Sequence, residues 1–98
     1  MQSNTETIKN LLRRYEYYNI KVESGFGGDE LKSKLKFLEK AISALRVEDF
    51  NLIKGIFIDG LTVVDAAKQA LCARRTVYYR CEKIIKQIAE VYAEAFPT

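Results

Sequence analysis

Two cysteines and three arginines lie close together in "CARRTVYYRCEK", residues 72–83. Thiols can bind metals, but zinc needs four ligands, and its sites commonly place cysteines two to four residues apart. Cys72 and Cys81 have eight residues between them, and the 98-residue chain contains no histidine. A catalytic thiol would also need a basic partner, which this composition does not offer. We therefore expect no metal site, no cofactor and no catalytic cysteine.

Other catalytic arrangements find as little support in the sequence. The carboxylates of Glu48, Asp49, Asp59 and Asp65 stand where helix caps or solvent-facing helix surfaces are expected. The glycine-rich "GFGG" lacks the lysine and the helix pattern of a phosphate-binding loop. We therefore predict that the protein is not an enzyme and has no small-molecule substrate.

The residues between the two cysteines favour a surface for nucleic acid. Arginine can bond guanine through two hydrogen bonds, and threonine or tyrosine can contact a phosphate or a thymine methyl group. At 100° per residue, Val77, Cys81 and Ile84 face inward, which leaves the cationic residues on the sides or outside. Two exposed tyrosines beside three arginines are costly on a surface without a partner.

We predict that the first turns of this helix contact base edges and that the surrounding residues contact phosphates. The predicted base contacts are Arg74, Arg75, Thr76 and Tyr79. The predicted phosphate contacts are Thr62, Tyr78, Arg80, Lys83 and Lys86. Thr62 belongs to this second group because a helix N-terminus can bind phosphate through its backbone N–H groups.

Composition predicts a small all-α domain of four to five helices. One proline and five glycines in 98 residues leave few helix breakers, and 48% hydrophobic content is enough for a modest core. The net charge of +3 permits a nucleic-acid partner without requiring one. No run approaches the roughly 18 apolar residues of a membrane span, and the polar N-terminus is unlike a signal peptide. Together with the two cysteines, these features predict a cytoplasmic protein without membrane contact.

The N-terminal half contains two helical segments separated by glycines. Apolar residues at helical spacing predict a first helix over residues 5–22, and residues 25–28 break it. Asp29 is expected to cap the second helix. That helix has an apolar seam with steps of four and three residues, typical of helix pairing, over about two heptads. Packing onto the same chain and pairing with a second copy or a partner both remain open. The seam consists of Leu31, Leu35, Leu38, Ile42 and Leu45.

The C-terminal half has the order of a helix-turn-helix. A segment that buries Phe50, Ile53 and Phe57 is expected to end at Gly60 with positive φ. Thr62 and Asp65 predict a capped short helix, in which small residues (Ala66, Ala67 and Ala70) allow a second helix to approach closely. Cys72 suits an apolar plug in the turn, and a long basic helix starts at residue 73 or 74. A short helix, a turn of three or four residues and a basic second helix form the DNA-binding arrangement.

The stretch "GLTVVDAAKQALCARRTVYYRCEKIIKQIA" resembles the C-terminal helix-turn-helix of sigma factors, their region four. The family pattern is G-x-[ST], a small-residue helix, and then S-R-x-x-V followed by a basic helix. The matching residues are Gly60, Leu61, Thr62, Asp65, Ala70, Arg74 and Val77. The resemblance covers roughly residues 41–89, and a chain of this length is similar to small phage regulators of late genes, of the ArpU and RinA kind.

Three positions depart from the family pattern. Ala73 stands where the family has a serine that caps the recognition helix, and Leu71 stands where it has glycine in the turn. Val64 replaces a usual glutamate and leaves an apolar side chain without an assigned role. These departures concern the start of the second helix and the geometry of the turn.

The resemblance implies a sequence-specific regulator of transcription that binds double-stranded DNA in a bacterial host cell, with RNA polymerase as a candidate partner; the apolar seam leaves a homodimer open. The glycine-rich break and the helix pattern divide the chain into an N-terminal arm and linker, residues 1–28, and a DNA-binding domain, residues 29–98, with its helix-turn-helix at about 61–86. Two alternatives stay open at this point. One is an oligomeric DNA-recognition subunit of the phage small terminase type, and the other is a helical module for protein–protein interaction.

Overall fold

Six α-helices and one π-helical turn build the fold in the computed structural model, which describes residues 3–97. Within these residues there is no strand, so the predicted all-α class is confirmed. The helices are α1 (Asn4–Arg13), α2 (Tyr15–Glu23), α3 (Gly28–Ser43), α4 (Val47–Ile53), α5 (Val63–Ala70) and α6 (Arg74–Ala95). The π-helical turn, Lys54–Ile58, continues α4. Residues 1, 2 and 98, at the outer ends of the predicted ranges 1–28 and 29–98, lie outside the described residues.

The prediction of one helix over residues 5–22 is wrong at Arg14, where α1 ends and α2 begins. Arg14 has φ −107° and ψ 21°, away from α-helical values, and this residue bends the chain. The bend directs α1 onto α6 and α2 onto α3. Because the first helix is divided in this way, the structure has six helices where four to five were expected.

The two halves of the divided helix differ in burial. α1 is capped by Ser3, whose Oγ accepts a hydrogen bond from the Glu6 N–H at 3.2 Å, and it buries Ile8, Leu11 and Leu12. In contrast, α2 has no fully buried residue and lies against α3 at the surface. Since the buried face of α1 belongs to the same core as α6, the predicted boundary near residue 28 separates helices that pack together.

The link between α2 and α3 includes a hydrogen bond from the Tyr15 hydroxyl to the Glu39 carboxylate. Partial burial and this hydrogen bond raise the pKa of Tyr15 to about 12. α3 itself starts at Gly28, one residue before the predicted cap, so Asp29 lies in its first turn and the predicted N-cap is wrong. An acidic residue in that turn still interacts favourably with the positive end of the helix dipole.

The apolar seam of α3 packs onto its own chain. Leu38 and Ile42 lie in the central core, Leu35 is buried, and Leu31 and Leu45 are half-buried against the core. Of the two readings that the spacing left open, the structure therefore supports the intramolecular one. The four leucines and one isoleucine of the seam therefore do not form a free surface for a second copy of the chain.

The segment before α5 shows where glycine is required. Gly55 is buried in the π-helical turn, and a Cβ built on it would lie 3.0 Å from Cδ1 of Leu61, so a larger residue would force Leu61 to move. Gly60 has φ 77°, which confirms the predicted left-handed conformation at the end of this segment. Ile53 and Phe57 are buried as predicted, whereas Phe50 is only half-buried.

The core is centred on α6, which contacts α1, α4 and α5. Its buried side chains recur at intervals of three and four residues along the whole helix, as expected for a helix with one face in a core. They are Val77, Cys81, Ile84, Ile85, Ile88, Ala89 and Tyr92. Across residues 3–97, none of the helices has the length and apolar character needed to span a membrane.

Candidate nucleic-acid interface

The first helix of the predicted helix-turn-helix is α5, which begins at a threonine cap. Oγ1 of Thr62 accepts a hydrogen bond from the Asp65 N–H at 3.1 Å, as the sequence predicted. Ala66 and Ala67 are buried against the core, so they provide the close approach between helices that small side chains allow. Ala70 is exposed, and it lines a groove together with Arg80 of α6.

A three-residue turn joins α5 to α6. Leu71 adopts the left-handed conformation with φ 54° and ψ 44°, and its side chain is 93% exposed. The chain therefore forms the turn geometry that favours glycine with a leucine in its place. Cys72 follows, half-buried and packed against the core, and its N–H donates to the Ala67 carbonyl at 3.0 Å.

The inner face of α6 contains the second cysteine. Val77, Cys81 and Ile84 are buried, which confirms the predicted inward face. Burial, together with the nearby carboxylates of Glu82 and Asp49, raises the pKa of Cys81 to about 11. This thiol is therefore protonated at neutral pH. Both cysteines are free, and over residues 3–97 no group of three Cys, Asp or Glu side chains could hold a metal ion.

The outer face of α6 begins with the residues predicted to contact bases. Arg74 and Arg75 are exposed, Thr76 is half-buried, and Tyr79 is 65% exposed. The guanidinium carbon of Arg75 lies 5.8 Å from the centre of the Tyr79 ring, one helical turn further on. This contact orients the arginine along the helix surface without using its hydrogen-bond donors.

The residues predicted to contact phosphates surround this outer face. Arg80 and Lys83 line the groove between α6 and α4, whereas Tyr78 lies on the opposite side, towards α1 and α5. Lys86 continues the outer face one turn beyond the others and is exposed. Thr62 is exposed at the start of α5, where its oxygen accepts the capping hydrogen bond. The predicted residues of α6 thus lie along its N-terminal half, with Tyr78 on the opposite flank from Arg80 and Lys83.

The charge of this region differs from that of the whole chain. Residues 74–87 contain five cationic side chains and one carboxylate, a net charge of +4 in a chain whose total is +3. In residues 3–97, none of these five cations lies within 4.0 Å of a carboxylate. The one carboxylate, Glu82, is paired with α1, since Nζ of Lys9 lies 3.1 Å from its Oε1. The exposed side of residues 74–87 therefore has a net positive charge, and Glu48 and Asp49 line the groove opposite Arg80 and Lys83.

Two features of the site were not predicted. Lys9 was not among the predicted site residues, and no sequence signal could have found it, because it lies 73 positions before Glu82 in the chain. The second feature is an open groove of about 710 Å³ between α5 and α6. Val63 and Val64 line one side of it, Arg74, Arg75, Tyr78 and Tyr79 line the other, and Glu82 lies one turn further along α6. The apolar residue at position 64, which departs from the family pattern, was the available signal for this groove.

Comparisons with protein-family models, curated proteins and solved structures found no match to this chain.

Proposed function

We propose that the protein is a sequence-specific double-stranded DNA-binding protein that regulates transcription. The observation that carries this proposal is a cluster of five cations in the N-terminal half of α6, next to two exposed tyrosines; none of the five lies within 4.0 Å of a carboxylate of residues 3–97. A cationic surface attracts the phosphate backbone, and a helix of this kind fits the width of the major groove.

In the proposed complex, the N-terminal turns of α6 enter the major groove. Arg75 and Tyr79 lie at the centre of the exposed face and would reach base edges, with Arg74 and Thr76 beside them. Ala73 has no side-chain oxygen to cap α6, so the first N–H groups of the helix are available to a phosphate oxygen. Arg80, Lys83 and Lys86 would contact phosphates along the flanks of the groove.

The setting of this function is also part of the proposal. The resemblance of residues 60–89 to sigma region four suggests a phage or prophage regulator that acts in the cytoplasm of a bacterial host, with RNA polymerase as a second partner. An oligomeric subunit of the small terminase type and a protein-interaction module remain the alternatives. The α3 seam offers neither of them support, because its side chains are used in the chain's own fold.

The first experiment is selection of binding sites from a random duplex pool, followed by titration of the enriched duplex. We expect an enriched sequence and an affinity that falls steeply between low and moderate salt, because phosphate contacts release counterions. A palindromic sequence would indicate binding as a dimer. Absence of binding to any duplex, at low salt as well, would contradict the proposed function.

A pair of double variants then tests the proposed face of α6. Arg75→Ala with Tyr79→Ala should weaken binding to the selected duplex about ten- to a hundredfold, the range for loss of one bidentate base contact. The matched control is Arg14→Ala with Tyr17→Ala, which removes another exposed arginine–tyrosine contact, with 4.4 Å between the guanidinium carbon and the ring centre. The control should bind like the wild type. Equal losses in both double variants would show that the reading face lies elsewhere.

A further inference from the structure

Val64 is an apolar side chain that the fold does not use. It lies in the first turn of α5 and is 41% exposed, whereas its helix buries Ala66 and Ala67 instead. Isolated exposed apolar residues are common on protein surfaces and need no explanation. Val64, however, is not isolated, because it faces Tyr78 and Tyr79 across the groove between α5 and α6.

The groove combines an apolar interior with a cationic rim. Tyr78 and Tyr79 are 63% and 65% exposed, and together with Val64 they offer carbon surface to an incoming group. Arg74 and Arg75 stand at the N-terminal end of the groove, without carboxylate partners among the described residues 3–97. A polyanion is attracted to this rim, so charge complementarity favours duplex DNA as the occupant.

The interior of the groove favours an apolar group over a phosphate. A phosphate there would lose hydration against valine and tyrosine carbon atoms. In the major groove of B-DNA, the apolar group that the base pairs present is the 5-methyl group of thymine. That methyl group lies at the edge of the base near its own strand, where a groove on the flank of an inserted helix would meet it.

We propose that this groove reads thymine through its 5-methyl group, with Val64 as a specificity-determining residue. The proposal rests on the proposed DNA-binding function. It specifies which chemical group of a base is recognised next to the arginine contacts. Val64 and Tyr78 hold the methyl group in van der Waals contact, while Arg74 and Arg75 keep the adjoining backbone and base edges in place.

Replacement of thymine by deoxyuridine tests this contact, because it removes the methyl group and preserves the base pair. Each thymine of the selected duplex is replaced in turn, and the dissociation constant is measured at fixed salt. We expect about a fourfold loss at one or two thymines, the effect of removing one buried methyl-sized group, and no loss at the others. Val64→Ala should lose a similar factor on the thymine duplex and become insensitive to deoxyuridine at the same positions.

The control variant is Val91→Ala, which truncates another exposed valine in the last turns of α6. It should retain the affinity and the deoxyuridine sensitivity of the wild type. Three results would overturn the inference while leaving DNA binding intact: a selected site without thymine, insensitivity of the wild type to every deoxyuridine, or equal sensitivity in Val64→Ala. A wild-type protein that binds no duplex at all would instead overturn the proposed function itself.

Discussion

The inner and outer faces of α6 are made by neighbouring residues with opposite requirements. The inner face is buried from Val77 to Tyr92 and contacts three other helices. The outer face is exposed, and between residues 74 and 86 it contains five cations that lie more than 4.0 Å from every carboxylate of residues 3–97. A side chain such as Ile85 is explained completely by packing, whereas Lys86, the next residue, is not explained by the fold at all. The difference shows that packing accounts for the residues of the inner face and not for those of the outer face, where we propose that DNA binds.

The largest predicted change is in the free energy of unfolding, and it distinguishes two adjacent residues that lie on opposite faces of α6. Ile85 is fully buried, so Ile85→Ala should lower the free energy of unfolding by about 3 kcal/mol through lost transfer energy and a cavity. Lys86→Ala should change it by less than about 0.5 kcal/mol, since an exposed residue has no such contacts. Urea denaturation measures both values. Equal losses in the two variants would mean that the faces are not divided as described.

A pH titration should expose a second property of the inner face. Because burial raises the pKa of Cys81 from 9.0 in the unfolded chain to about 11, the folded state retains its proton where the unfolded state loses it. The stabilising contribution is complete below about pH 9 and is lost as the pH rises towards 11. Urea denaturation across this interval should therefore give a steeper decline for the wild type than for Cys81→Ala. Parallel declines would show that Cys81 does not lie on the buried face.

On the outer face, Lys83→Ala with Lys86→Ala should weaken DNA binding without changing stability. Each lost phosphate contact should make the slope of log affinity against log salt shallower by about 0.9. The loss should be similar for selected and unrelated duplexes, because phosphates carry no sequence information. An effect confined to the selected duplex would instead assign these lysines to base contacts.

The turn before α6 sets where the outer face begins, and Leu71 is strained there. Leu71→Gly should raise the free energy of unfolding by about 1 kcal/mol, because glycine adopts φ 54° without steric cost. Leu71→Ala is the control, since alanine retains a Cβ and should leave stability nearly unchanged. Thermal unfolding distinguishes the two outcomes, and a loss of stability in Leu71→Gly would contradict the left-handed turn.

The smallest expected effect lies at the edge between the faces, at the Lys9–Glu82 pair. Lys9→Met leaves the Glu82 carboxylate uncompensated near the cationic surface, so DNA affinity should fall about twofold, within the range of exposed ion pairs. Glu82→Gln in the same chain should restore affinity, because it removes the repulsion. If the second substitution does not restore binding, Lys9 contributes through packing and not through charge.

Local signals predicted much of this structure. The cap at Thr62, the positive φ of Gly60 and the inward face through Val77 and Cys81 all depend on residue type and helical spacing, and all are confirmed. These features are decided within a few residues, so the sequence is sufficient to predict them.

Features decided by distant contacts were not predictable. No glycine or proline marks the bend at Arg14 in the sequence. The bend follows from the packing of α1 and α2 on different helices. The π-helical turn likewise has no residue-type signal, and the proximity of its buried Gly55 to Leu61 is visible only in the structure. In the candidate site, the arginines and tyrosines were predicted from their chemistry. The groove at Val64 and the partner of Glu82 required the arrangement of α5 and α1 beside α6.

The packing of α1 on α6 has a consequence for synthesis of the chain. Ile8, Leu11 and Leu12 leave the ribosome long before the helix that covers them, since Glu82, the partner of Lys9, follows 73 positions later in the chain. Until α6 emerges, the nascent chain must keep these side chains exposed or hold them in transient contacts. The helix that carries the cationic surface is therefore also the segment that completes the core, so an emerging chain acquires its native fold and this surface in the same late step.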